Sequence, residues 1–222
     1  MENLNYMYKD RSEKEKVFFR LLSGSIRYFK DAYIISNLSE FERVLQLDIR
    51  NWDCDVYNKF TDEKLIDTVR IVISFENYFK AKLVRNDYLI HLLNKKSVGK
   101  QAFNISNPVK KPVKYTDLVE NVGVVDEKIL NHRTIGFNDL LSPDYRDVLG
   151  IPSDVGKILK DIADYRNSLH FKSFPGEIYL STYVKDMKKL IDFVNYNMIE
   201  EYNAIVVKYY RGTLFPRPKI EY

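Results

Sequence analysis

Between residues 61 and 93, Leu65, Ile66, Val69, Ile73, Phe75, Phe79 and Leu83 recur at helical spacing, and this stretch limits the folds open to the chain. The apolar stripe is broader than a surface helix needs, so the helix is expected near the centre of a core. Thr61-Asp62-Glu63 puts a capping residue and two acids where the amino end of a helix dipole favours them. Only 8 glycines and 7 prolines stand in 222 residues, too few for the many turns of an all-β fold.

Other segments follow the same period. Residues 13–36 read as an amphipathic helix carrying Val17, Phe18, Leu21, Leu22, Ile26 and Phe29, with Ser12 and Glu15 spaced as a capping box. A second helix is expected from Ser39, with Phe41, Val44, Leu45 and Leu47 apolar, and residues 51–55, which include Trp52, interrupt it. Residues 153–171 carry Val155, Ile158, Leu159, Ile162 and Leu169 on one side, Pro175-Gly176 marks a turn, and 178–209 read as a long closing helix. Between these, 97–114 break the pattern with Asn104, Asn107, Pro108 and Pro112, and 116–150 suggest short helices. The tail 211–222 contains Pro216 and Pro218 and cannot be helical throughout. The expected fold is all-α: one domain over 1–222, a bundle of about four long helices. Its core would lie at about 12–97 and 152–210, with an irregular insertion at about 98–151.

Composition narrows the function classes. One cysteine, Cys54, permits no internal disulfide and no cysteine-based metal site. Met1-Glu2-Asn3-Leu4 shows no basic region leading into an apolar run, and no stretch approaches a bilayer span, so a cytoplasmic protein without a membrane partner is expected. The net charge of +4 tolerates a nucleic-acid partner without requiring one. No glycine-rich phosphate loop, His-Glu-x-x-His zinc signature or Gly-x-Ser-x-Gly elbow occurs, and no cofactor or metal is expected.

What remains is Arg166-Asn167-Ser168-Leu169-His170. On a helix, Arg166 and His170 are four apart and share a face with Asn167 beside them. A guanidinium can clamp a phosphate, and an imidazole titrating near neutrality can move a proton. With an orienting amide, these are the parts of a metal-free phosphodiesterase whose nucleophile is the 2′-hydroxyl of RNA. The same pair near a helix end can equally serve the terminal carbonyls and the dipole.

Tyr165-Arg166-Asn167-Ser168-Leu169-His170, followed by a turn and a long helix, resembles the HEPN domains (higher eukaryotes and prokaryotes nucleotide-binding). The resemblance implies a helical bundle that dimerises and acts as a metal-independent ribonuclease in phage defence or a toxin–antitoxin system, with an antitoxin or defence protein as partner. It also implies that Arg166, Asn167 and His170 are the active residues, with two copies facing each other in a homodimer. The stretch 74–83, with Glu76 and Lys80 four apart, is similar to an earlier helix of such domains. The family usually has four to six residues between its Arg and His; here there are three.

Secondary candidates are the basic loop residues Lys110, Lys111 and Lys114, with Lys172 after the motif, as contacts for RNA backbone. Lys208-Tyr209-Tyr210-Arg211, Arg217 and Lys219 interleave aromatic and basic groups as single-strand binders do. Glu76 and Lys80 are expected to pair within their helix, worth about 0.3–0.5 kcal/mol if exposed. His91 reads as a hydrogen-bonded histidine at the core edge and His132 as a helix cap.

Overall fold

A computed structural model describes residues 6–46, 54–123, 125, 128–170, 180–209 and 220. The described residues are mostly helical, with one two-stranded antiparallel sheet among them. It divides into two compact units, one made of Met1–Leu22 with Glu76–Pro152 and the other of Ser23–Phe75 with Ser153–Tyr222.

Helix α1 (Tyr6–Lys9) leads into α2 (Arg11–Lys30), α3 (Tyr33–Ser36) and α4 (Leu38–Gln46). The capping box expected from Ser12 is not what starts α2. The Asp10 carboxylate accepts from the amides of Ser12 (2.6 Å) and Glu13 (3.2 Å), because a carboxylate is the stronger acceptor for free amino-end amides. The expected helix over 13–36 also divides, with Ala32 extended (ψ 129°). Its second piece, α3, is capped from a distant part of the chain. Asp67, 1% exposed, accepts the Tyr33 amide at 2.7 Å and the Ile34 amide at 2.8 Å, and Arg70 lies 3.4 Å away. Burial pushes the Asp67 carboxyl up, while the two amides and Arg70 hold it back. Asp67→Asn puts an amide donor against one of these N–H groups; it is expected to cost about 1–3 kcal/mol, read as a lowered denaturant midpoint.

Helix α5 (Cys54–Arg85) begins before Thr61, which is therefore interior rather than a cap, and ends before 93. Tyr88 N–H reaches the Leu83 carbonyl (2.8 Å) and Asp87 N–H the Val84 carbonyl (3.1 Å), around a left-handed Asp87 (φ 65°). That pattern closes the last turn and turns the chain away. Residues 91–93, expected to be helical, form strand β1 (His91–Leu93). The run Leu89-Ile90-His91-Leu92-Leu93 has no period to separate a strand from a buried helix.

In the first unit, α6 (Lys95–Val98), α7 (Lys100–Ser106) and α8 (Tyr115–Val122) precede β2 (Leu130–Thr134), followed by α9 (Phe137–Leu140) and α10 (Pro143–Leu149). β1 and β2 pair with His91 opposite Thr134 and Leu93 opposite Leu130, with a bulge between. Leu89, Leu93, Val113, Tyr115, Leu118, Ile129 and Leu130 form the core around Tyr8 of α1. Helix α10 ends on a left-handed Gly150 (φ 65°), and Lys82 donates to the carbonyl of Leu149 at 3.0 Å. Gly150→Ala is expected to cost about 1 kcal/mol, seen in thermal melts, because a Cβ is strained at that φ whatever space surrounds it.

In the second unit, α11 (Ser153–His170) matches the helix read over 153–171. The closing helix is α12 (Leu180–Phe193), a π-helical turn (Val194–Ile199) and α13 (Glu200–Tyr209). The turn carries Asn195, whose side chain donates to the Ile220 carbonyl (2.9 Å) and accepts its amide (3.1 Å). Phe75 of α5 anchors the core, at 5.9 Å from Phe29 of α2 and 5.8 Å from Phe193 of α12. The Ser74 hydroxyl donates to the Ser25 carbonyl at 2.8 Å. Among the described residues no helix is long and apolar enough to cross a membrane.

Candidate functional site

Val155, Ile158, Leu159, Ile162 and Ala163 bury one face of α11. This packing fixes the helix that carries the motif. Tyr165, Arg166 and Asn167 there are half-buried. Arg166 donates from Nε (3.3 Å) and Nη2 (3.1 Å) to Asn167 Oδ1. No carboxylate among the described residues neutralises Arg166. The amide thus orients the guanidinium without cancelling its charge. A guanidinium held in this way can meet a phosphate.

His170 is the last residue of α11, one helical turn beyond Arg166. Its side chain, Lys172 and the Pro175-Gly176 turn lie outside the described residues, as do Trp52, Arg211, Pro216, Arg217, Pro218 and Lys219 and the side chains of Lys208 and Tyr209.

A neighbour of the motif comes from another helix. Lys64 of α5 stands 4.6 Å from the centre of the Tyr165 ring. Burial lowers the Lys64 amine and raises the Tyr165 phenol. Nothing in sequence links the two, because the contact depends on how α5 and α11 pack.

Lys110, Lys111 and Lys114 belong to the first unit, and Arg166 to the second. The loop is held by its backbone: the Tyr145 hydroxyl donates to the carbonyls of Pro108 (2.5 Å) and Lys111 (3.4 Å). The three lysines are exposed, with Lys114 5.7 Å from the Tyr88 ring. Their charge is therefore presented on a fixed loop.

Glu76 and Lys80 form the expected ion pair, yet Lys80 is 8% exposed, not on a solvated face. Its ammonium also donates to Thr134 Oγ1 at 2.8 Å, tying α5 to β2. His91 is buried, and the Tyr8 hydroxyl meets its Nδ1 at 2.9 Å. His132 lies exposed on β2 instead of capping a helix, because the segment between α8 and α9 pairs with β1. Among the described residues, no three His, Cys, Asp or Glu side chains gather as a metal ion would need.

No family model, curated protein or solved structure matches the chain.

Proposed function

We propose that the chain is a metal-independent endoribonuclease of the HEPN type, working in the cytoplasm as a homodimeric helical bundle in phage defence or a toxin–antitoxin system. The observation that carries this is the Arg166 guanidinium, held by Asn167 with no carboxylate partner among the described residues, one helical turn from His170. In this reading the RNA 2′-oxygen attacks phosphorus as His170 takes its proton, or His170 protonates the departing 5′-oxygen. The bond to the 5′-oxygen breaks and a cyclic phosphate forms. Arg166 stabilises the charge on the phosphorane, and Asn167 orients guanidinium or phosphate. Lys110, Lys111, Lys114 and Lys172 supply backbone contacts that weaken as salt rises.

Cleavage of a mixed-sequence RNA in the presence of EDTA tests this. Wild type is expected to cut, and His170→Ala to lose about 10²–10⁴-fold in rate. Equal rates in the two proteins would remove His170 from the chemistry.

A second reading is a non-catalytic helical module that binds a protein, such as an antitoxin, or a nucleic acid. The favouring observation is that two of the Arg166 donor groups are already engaged by Asn167 of the same helix. It expects RNA or protein binding without cleavage.

A further inference from the structure

The π-helical turn Val194–Ile199 carries two asparagines whose side chains do different things. Asn197 donates to the Phe193 carbonyl of its own helix at 2.9 Å, as a polar side chain inside a helix ordinarily does. Asn195 reaches 25 residues along the chain instead: its Nδ2 donates to the Ile220 carbonyl at 2.9 Å and its Oδ1 accepts the Ile220 amide at 3.1 Å. Asn195 is half-buried, and Ile220 is 7% exposed, so the aliphatic side chain beside this amide pair is withdrawn from water.

A carboxamide can bond both polar groups of one residue only where that residue is extended. Extended backbone presents its N–H and C=O on the same side, whereas a helix points them to opposite ends. The Asn195 side chain thus stands in for one residue of a neighbouring antiparallel strand. Packing alone accounts for the buried isoleucine, since an aliphatic side chain gains by leaving water. It does not account for an amide matched to both groups of one peptide residue in a π-helical turn, an irregularity frequent at functional sites.

We infer that this turn is a docking site for an extended, basic peptide segment of a partner protein, with Ile220 as the built-in occupant that the partner displaces. The Ile220 contact states the ligand chemistry. Hydrogen bonds to the main chain ignore sequence, while the recess that takes the side chain selects an aliphatic group. Proline is excluded at that position because it has no amide to donate. Charge sets the flanks: Asp192, Glu200 and Glu201 bracket the turn, and Arg217 and Lys219 precede Ile220 in sequence. The tethered isoleucine competes at high effective concentration and masks the site until a tighter segment arrives. Two hydrogen bonds and one side chain make a small contact, which opens without unfolding the helices that carry it. The inference rests on the π-helical turn and stands whether or not the chain cleaves RNA.

Fluorescence anisotropy on the full chain tests it, with a labelled peptide of the sequence 216–222 as probe. Ile220→Asp vacates the site from within and keeps Asn195. That variant is expected to bind the peptide saturably, and wild type at least about tenfold more weakly. Adding Asn195→Ala to the variant is expected to weaken binding at least about tenfold, and so is N-methylation of the peptide's isoleucine, which blocks its amide. Hydrogen exchange reads the same opening without relying on the variant. The wild-type Ile220 amide is expected to exchange sooner than those of Leu190 and Ile191 in α12, and later than the same amide in Asn195→Ala. The site is overturned by no saturation in folded Ile220→Asp, by equal affinity in wild type, or by undiminished binding after either hydrogen-bond loss. An Ile220 amide that exchanges in step with Leu190 and Ile191 would equally overturn it, as a fixed part of the core. A wild-type dimer in sedimentation that Ile220→Asp dissolves would give the site to a second copy and overturn the partner assignment.

Discussion

Arg166→Ala is expected to lower RNA cleavage about 10²–10³-fold in EDTA-containing buffer while leaving the denaturant midpoint nearly unchanged. The size follows from removing a preorganised cation from the place where phosphorane charge develops. The small effect on folding follows from position: Arg166 is half-buried, beyond the packed face ending at Ile162 and Ala163, and its bonds go to the neighbouring Asn167. Arg166→Lys is expected to recover only part of the rate, since an ammonium cannot present two parallel donors. Asn167→Ala frees the guanidinium from its orienting acceptor, so a smaller loss than for Arg166→Ala is expected. Full activity in Arg166→Ala, measured on protein with a wild-type melt, would end the ribonuclease assignment for this helix.

The second large effect concerns acid. Burial, with His132 and Lys80 nearby, lowers the His91 imidazole from 6.5 to about 4. The Tyr8 hydroxyl accepts the Ile90 amide at 3.0 Å and lies 2.9 Å from His91 Nδ1, to which it can donate when Nδ1 carries no proton. Between pH 6.5 and 4 the unfolded chain therefore binds a proton that the folded chain refuses. Stability is fully present above this window and falls as pH drops through it, by about 3 kcal/mol in all. His91→Gln keeps an acceptor for Tyr8 and removes the titration. Unfolding free energies of the two proteins, measured from pH 7 to 4, are expected to diverge toward acid in favour of the variant. Parallel curves would show that His91 is not the titrating group. Protonation also deprives a buried hydroxyl of its acceptor, so α1 is expected to exchange its amides faster in acid than the core of α5 does.

The long helices were legible because an amphipathic period survives without knowledge of neighbours. The expected face of α11, from Val155 to Ile162, is the buried one, and the core positions Phe75, Phe79 and Leu83 on α5 are fully enclosed. Leu65, Ile66 and Val69 of the same expected stripe are exposed instead, because the amino half of α5 turns Asp67, Thr68, Ile71 and Val72 inward. The ends of helices were less legible. Asp10 rather than Ser12 starts α2, and Asp87 closes α5 in a left-handed conformation that few residues other than Gly and Asn adopt. The strand at His91 was not legible, because a five-residue run flanked by polar residues fits a strand and a helix end equally.

The polar contacts show the same division. Asn167 beside Arg166 is a local pair and could be read directly. Lys64 over Tyr165, Asp67 on the amides of α3, and Tyr8 on His91 join residues far apart in sequence. The sequence by itself determined the helical character of the chain, the buried faces of α11 and of the carboxyl half of α5, and the Arg-Asn-His succession, since these depend on neighbours within a turn or two. Only the tertiary structure decided where helices break, which strand pairs with which, and which charges are buried, neutralised or left open. Those outcomes depend on the desolvation and partners that distant segments supply once packed, and no local pattern encodes them.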